Sequence, residues 1–367
     1  MSTSEKVVDS DKIWACLITT DSYLPGLLTL AYSLRRVKSR YPLVALHTGS
    51  LPDETLRALA ARHVPLQRVP YLCPGPPPRA VAVSDGDGKT NGDNNGNGNG
   101  NGNGTDNSNA NTTTTTDSST WYANDPRFRA CFTKLAVFSL TGYTRVVLLD
   151  ADMLVRQNMD ELFELPLDGE RRLFAATHAC LCNPLHFRHY PPSWTPPHCA
   201  FTLQQQTDSC AAQTSGGPPS LGMGLLNGGL LVLHPDLTIY SEIVGYLHSD
   251  KATPATLPFA DQSLLSELFR ERWVALPYVY NALKTMRWAG VHGGLWRDEK
   301  VKNVHYILTP KPWEEVLEGR EKEKVYQEAE EQGDETDRWW REVDLERRRW
   351  EVDRGFLSVR EGKLDGR

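Results

Sequence analysis

Arg145-Val146-Val147-Leu148-Leu149-Asp150-Ala151-Asp152 decides how the rest of the chain is read. Four consecutive apolar residues, two of them β-branched, run straight into two carboxylates separated by one residue. An uninterrupted apolar run of this length predicts a parallel strand buried on both faces. Thr141-Gly142-Tyr143 ahead of it is a turn, and residues 158–163 behind it read as the start of a short helix. The acids therefore fall at the carboxyl end of a central strand, the edge where open α/β sheets bind ligands. With no Lys or Arg between them, Asp150 and Asp152 repel each other. A divalent cation relieves that repulsion, and hard oxygen ligands favour Mg²⁺ or Mn²⁺. A solvated acidic turn is the alternative, at the cost of placing charge directly after a buried strand.

Outward from this strand the chain alternates. Strand 13–18, helix 23–37, strand 43–47 and helix 53–62 make a mononucleotide-binding α/β half, with 64–66 returning to the sheet. Helix 129–140 precedes the acidic strand, and its Lys134 lies off the apolar stripe, toward the ligand crevice or toward solvent. Strand 173–177 follows, ending at His178. Residues 180–219 form a long irregular stretch of the kind that makes lids or acceptor walls. Leu226-Asn227-Gly228-Gly229 enters another strand, and paired glycines there permit close backbone approach to a ligand. Asp261, ahead of the stripe Leu264, Leu265 and Leu268, falls at or near a helix N-cap. In residues 302–313, His305 offers a ring nitrogen to a metal or packs in the core, and Lys311 between two prolines suits a phosphate oxygen.

Composition narrows the function. At 367 residues with 40% apolar and 23% charged residues the chain is an ordinary globular one, and a net charge of −6 excludes nucleic acid as the main partner. No apolar run reaches membrane-spanning length and no signal peptide is evident, so a cytoplasmic location is expected. Seven cysteines, an odd number, fit a reducing compartment. Cys180-x-Cys182, with His178 and His186 nearby, lacks a second close pair, so the spacing is not read as a zinc site. Residues 74–120, rich in Pro, Asn, Gly and Thr, read as a disordered insertion. The expected organisation is a tail at 1–11, one catalytic domain over 12–315 interrupted by that insertion, and a charged, partly helical tail over 316–367. Trp339, Trp340 and Trp350 suggest that a terminal helix docks on the body.

Phe132-Thr133-Lys134-Leu135, the 143–152 stretch, Leu226-Asn227-Gly228-Gly229, Asp261-Gln262 and His305-Tyr306 through Lys311-Pro312-Trp313 occur in the order seen in glycosyltransferase family 8. The chain resembles that family, the group of glycogenin and galactinol synthase, and especially its fungal glycogenin-like branch. The resemblance covers residues 12–72 and 121–315. It implies a GT-A fold, an α/β Rossmann-like mixed sheet flanked by helices, and a retaining, metal-dependent hexosyltransferase. It further implies Mn²⁺, with Mg²⁺ as the alternative, on Asp150, Asp152 and His305, and a UDP-sugar donor. Lys311 would contact the diphosphate and Lys134 the phosphate or sugar. Thr19, Thr20 and Tyr23 would lie near uracil and ribose, with Ala151 also against the donor. Asn227, Asp261 and Gln262 would surround the transferred sugar. The expected partners are that donor and a hydroxyl acceptor, a small polyol or glycan, and a homodimer is admitted. Leu308 and Pro258 replace a glycine and an acid of glycogenin, so donor identity does not carry over. A self-glucosylating primer and a non-catalytic nucleotide-sugar binder are the rival readings. A dehydrogenase is disfavoured because no Gly-x-Gly-x-x-Gly follows the first strand.

Overall fold

The computed structural model describes residues 5–75, 131–314 and 334–357. The insertion, apart from Pro74 and Gly75, falls outside them, as does most of the charged segment expected to be helical between 314 and 331. Ten strands are present among the described residues: β1 Lys12–Ile18, β2 Leu43–His47, β3 Leu66–Arg68, β4 Arg145–Leu149, β5 Met153–Val155, β6 Phe174–His178, β7 Leu226–Leu233, β8 Trp273–Leu276, β9 Ala282–Leu283 and β10 Asn303–His305. Seven of them form one sheet in the order β3-β2-β1-β4-β7-β6-β8, and β5-β10-β9 form a second, small one.

β4 is parallel to β1 but antiparallel to β7. The expectation of a wholly parallel neighbourhood therefore holds on one side only, within a sheet that is mixed as the resemblance implies. The apolar run is explained by what lies above and below it. Val146 and Leu148 enter one hydrophobic core with Ile13, Leu231 and Phe174. Val147 and Leu149 enter the other with Trp14, Leu230 and Val232. Every position is fully covered, and each such side chain contributes roughly 1.5–3 kcal/mol of transfer free energy.

Helix α1 (Leu24–Arg36) and α2 (Asp53–Ala61) cover one face of the sheet. The other face carries a 3-10 helix, Cys131–Ser139, with α4 (Leu237–Leu247) and α5 (Ala260–Leu268). Lys134 sits on this 3-10 helix, whose Phe132, Leu135 and Ala136 are buried. The stretch 180–219 is less irregular than expected, since it contains α3 (Ala200–Asp208). Only Ala200, Phe201 and Gln204 of that helix are buried, too few apolar positions to impose a periodic pattern on the sequence.

The C-terminal tryptophans do belong to a docked helix, α6 (Glu335–Asp353). Trp340 is buried beside Trp313, and Trp350 lies against Tyr32 of α1. Polar contacts fix the register. Arg347 reaches Asp344 at 2.6 Å and Glu351 at 2.6 Å, Thr29 donates to Asp344 at 2.9 Å, and Arg62 reaches Glu351 at 3.1 Å. Asp344, Arg347 and Glu351 are all buried. Without Arg347, Asp344 keeps Thr29 and Arg348, and Glu351 keeps Arg62, but both lose the cation they share, so Arg347→Ala is expected to cost about 1.5–3 kcal/mol. Arg338→Ala, on the exposed face of the same helix, should leave stability unchanged. Urea unfolding of the two variants checks the contrast.

Candidate active site

The turn after β4 brings its acids back under the sheet edge. Asp150 donates its backbone N–H to the Gly229 carbonyl at 2.9 Å, and the Asp152 carbonyl accepts from Tyr306 N–H at 2.9 Å. β4, β7 and β10 are thereby tied together at one point. His305, the last residue of β10, faces the acids through Nε2, 3.2 Å from Asp152 and 3.8 Å from Asp150. The ligand atoms of all three residues lie within 4.8 Å of one another.

Two lysines complete the charge balance. Lys311 donates to Asp152 at 2.6 Å and to the Tyr306 carbonyl at 2.6 Å. Lys134 donates to both Asp150 oxygens, at 2.7 and 3.0 Å, and stands 3.5 Å from Asp261. Burial opposes the charge on Asp152, but Lys311 and then His305 outweigh it and hold the carboxyl well below its usual range. Burial likewise opposes the charge on each lysine, and the facing carboxylates, Asp150 and Asp261 for Lys134 and Asp152 for Lys311, reverse the shift and raise both pKa values.

Asp261 is not the helix cap that its position suggests. Phe259 is the N-cap of α5, and its N–H is held by Ser263 Oγ at 2.9 Å. Ala260 then takes a left-handed φ of 48°, which turns Asp261 into the buried side, toward Lys134. Burial pushes the Asp261 carboxyl up to about 6, with Lys134 opposing. The lysine prevails only in part because its nearer contacts are to Asp150.

The glycine pair borders the cavity over the site and also makes room within the site itself. A Cβ on Gly228 would overlap Asp261 Oδ2, and one on Gly229 would overlap His305 Cε1. The close approach is to the site's own side chains.

A cavity of about 270 Å³ opens over this cluster, lined by Lys134, Asp150, Asp152, Asn227, Asp261 and Gln262 among others, with His305 and Lys311 on its floor. Thr19, Thr20, Tyr23 and Ala151 do not line it. Tyr23 packs instead on Trp313, with Lys311 Nζ 5.9 Å from its ring centre, at the carboxyl end of β1. Asn281 is the residue that sequence reasoning missed. Its Oδ1 meets His305 Nδ1 at 2.9 Å, and its Nδ2 donates to Asn227 at 2.8 Å and to Thr177 at 3.0 Å. It fixes the ring so that Nε2 faces the acids, the support that metal-binding histidines ordinarily have.

The profile of Glycosyl transferase family 8 matches residues 103–316, more than half of the chain. The chain belongs to glycosyl transferase family 8. Curated relatives include galactinol synthase 1 of Arabidopsis thaliana, 27% identical over 84% of this chain and 73% of that protein. Galactinol synthase 2 of Solanum lycopersicum is 35% identical over 50% of this chain and 49% of its own length. Among solved structures, the glycosyltransferase GlyE of Streptococcus pneumoniae TIGR4 aligns at 15% identity and a TM-score of 0.49, over 91% of this chain and 61% of that one. These curated relatives are plant galactinol synthases, which overturns the expectation of a fungal glycogenin-like branch.

As a family 8 chain with a GT-A-like mixed sheet, it carries a buried acid–imidazole cluster whose donors suit a divalent cation: two hard carboxylates and one oriented ring nitrogen. Among the described residues no helix is long and apolar enough to cross a membrane. Two outcomes follow from the geometry. Asn281→Ala frees the His305 ring and should weaken divalent-cation affinity about 10–100-fold, measured by calorimetry. Asp261 has a folded pKa raised above its unfolded value, so its carboxyl favours folding only when protonated, below about pH 4, and that contribution is lost as the pH rises through about 6. Asp261→Asn should therefore raise the unfolding free energy at pH 7.5 by about 1–3 kcal/mol, with the gain vanishing near pH 4 in urea titrations.

Proposed function

We propose that the chain transfers a hexose from a UDP-sugar to a hydroxyl of a small polyol or glycan, retaining configuration at the anomeric carbon. The observation that carries this reading is the convergence of Asp150, Asp152 and His305 with two lysines on one cavity wall. Asp150, Asp152 and His305 would hold Mn²⁺ or Mg²⁺, which supplies charge neutralisation for a leaving diphosphate.

The chain's own groups do the remainder. Lys311, fixed by Asp152 and the Tyr306 carbonyl, presents its ammonium where negative charge develops on the departing phosphate, and Lys134 does so from beside Asp150. Both are already held beside the acids, so only a short shift of each ammonium from carboxylate to phosphate is needed as the charge appears. Asn227, Asp261 and Gln262 line the far wall and orient sugar hydroxyls. Orientation suits Asp261 better than nucleophilic attack, because the carboxyl is buried, raised in pKa and held near Lys134. Among the described residues no carboxylate lines the cavity beyond Asp150, Asp152 and Asp261, so the leaving diphosphate takes the acceptor's proton on the face it vacates. Thr19, Thr20, Tyr23 and Ala151, outside the cavity, mark the direction in which the nucleoside would extend. The plant relatives are by name galactinol synthases, which favours a separate acceptor over a tyrosine of the chain itself.

UDP-hexose hydrolysis and transfer should require added Mn²⁺ or Mg²⁺ and fall at least ~100-fold in Asp152→Asn, the scale on which electrostatic groups act in transfer reactions. Mass spectrometry of products from a panel of UDP-sugars, with and without polyols, reads this directly. Turnover undiminished by a chelator would rule the mechanism out.

A further inference from the structure

A second cluster lies at the other end of the irregular stretch. Cys180 and Cys182 follow β6, Cys199 precedes α3, and His292 sits in the turns beyond the 3-10 helix Lys284–Arg287. The three Sγ atoms surround His292 Nε2 at 3.4, 3.3 and 3.5 Å. All four ligand atoms lie within 4.8 Å of one another, and none of the thiols is in a disulfide. Cys199 and His292 are completely buried. His292 Nδ1 has no hydrogen-bond partner among the described residues.

Thiols are weak donors and acceptors, so this imidazole is buried without a strong partner on either nitrogen, a costly arrangement if nothing else binds it. The distances supply the missing partner. Zinc bonds of about 2.3 Å to sulfur and 2.0–2.1 Å to histidine nitrogen, at tetrahedral angles, require a sulfur–nitrogen edge of about 3.5 Å. All three observed separations match that edge. Soft thiolates also select against the hard cations suited to Asp150 and Asp152.

We propose that Cys180, Cys182, Cys199 and His292 bind one structural Zn²⁺ ion. On binding, the three thiols release their protons to solvent and His292 coordinates as the neutral imidazole through Nε2, leaving a centre of net charge −1. Four protein ligands close the coordination shell, so this centre has no open position for substrate. Its effect is to pin both ends of segment 183–198. That segment places Tyr190 and Trp194 on the wall of the catalytic cavity, with Trp194 stacked on Phe259 at 4.1 Å, two residues from Asp261.

The test is elemental analysis of the full-length protein, purified under reducing conditions, supplied with zinc and then gel-filtered. The expected result is one tightly held zinc per chain, retained in an Asp152→Asn, His305→Ala double variant and lost in His292→Ala. His292→Cys, which keeps four ligands, should retain zinc, and this separates coordination from mere folding defects. Cobalt(II) in place of zinc should give the intense visible bands of a tetrahedral thiolate centre. Zinc absent from the wild-type protein, unchanged in His292→Ala, or lost together with Asp152 and His305 would overturn the assignment, as would a disulfide between any two of the three cysteines under reducing conditions.

Discussion

Two carboxylates placed one residue apart at the end of a fully buried strand must be neutralised, and the fold around them is arranged to do so. Lys134 comes from a 3-10 helix on one face of the sheet. Lys311 arrives from the segment after β10 and is anchored by a backbone carbonyl at 2.6 Å. His305 comes from the second sheet, whose strand β5 is the direct continuation of the acidic turn. A cation near Asp152 gains more than it would in water because Asp152, His305 and Lys311 are buried, and leaving that acid without one would cost several kcal/mol. The same charge balance makes the site ready for a substrate. Once a divalent ion shares the carboxylates, two ammonium groups already face the space where a diphosphate would lie.

The supporting layers become intelligible from that balance. Asn281 orients His305, Asn227 accepts from Asn281 and from Gly229 N–H, and Gly228 and Gly229 leave room for Asp261 and His305. Trp313 links the site to the C-terminal helix, touching Tyr23 on one side and Trp340 on the other. A helix more than twenty residues beyond His305 in sequence thus braces the base on which Lys311 stands.

Much of this was legible in the chain. The run Val146–Leu149 announced a two-sided core because its apolar residues do not alternate, and β1 and β2 fall where their apolar runs predicted. Asp150, Asp152, His305, Lys134 and Lys311 could be named from residue type and order, and they converge. What escaped the sequence depends on contacts between distant segments. Asn281 lies in a stretch without periodicity, and nothing local marks an amide whose partner is a histidine far downstream. Asp261 read as a cap because caps are local, whereas its environment is set by the left-handed backbone at Ala260 and by Lys134. Cys180 and Cys182 lacked a visible second pair because the other ligands, Cys199 and His292, come from two further loops, while the nearby His178 and His186 take no part.

The central claim is that one divalent ion is shared by the acids after β4 and the imidazole at the end of β10, facing a diphosphate. A crystal structure of the complex with Mn²⁺ and UDP, with anomalous scattering recorded at the manganese edge, tests it most directly. The account predicts a single anomalous peak bonded to Asp150, Asp152 and His305 Nε2, with Lys311 moved from Asp152 onto a phosphate oxygen. Manganese found elsewhere, or a His305 ring turned away from the ion, would contradict it.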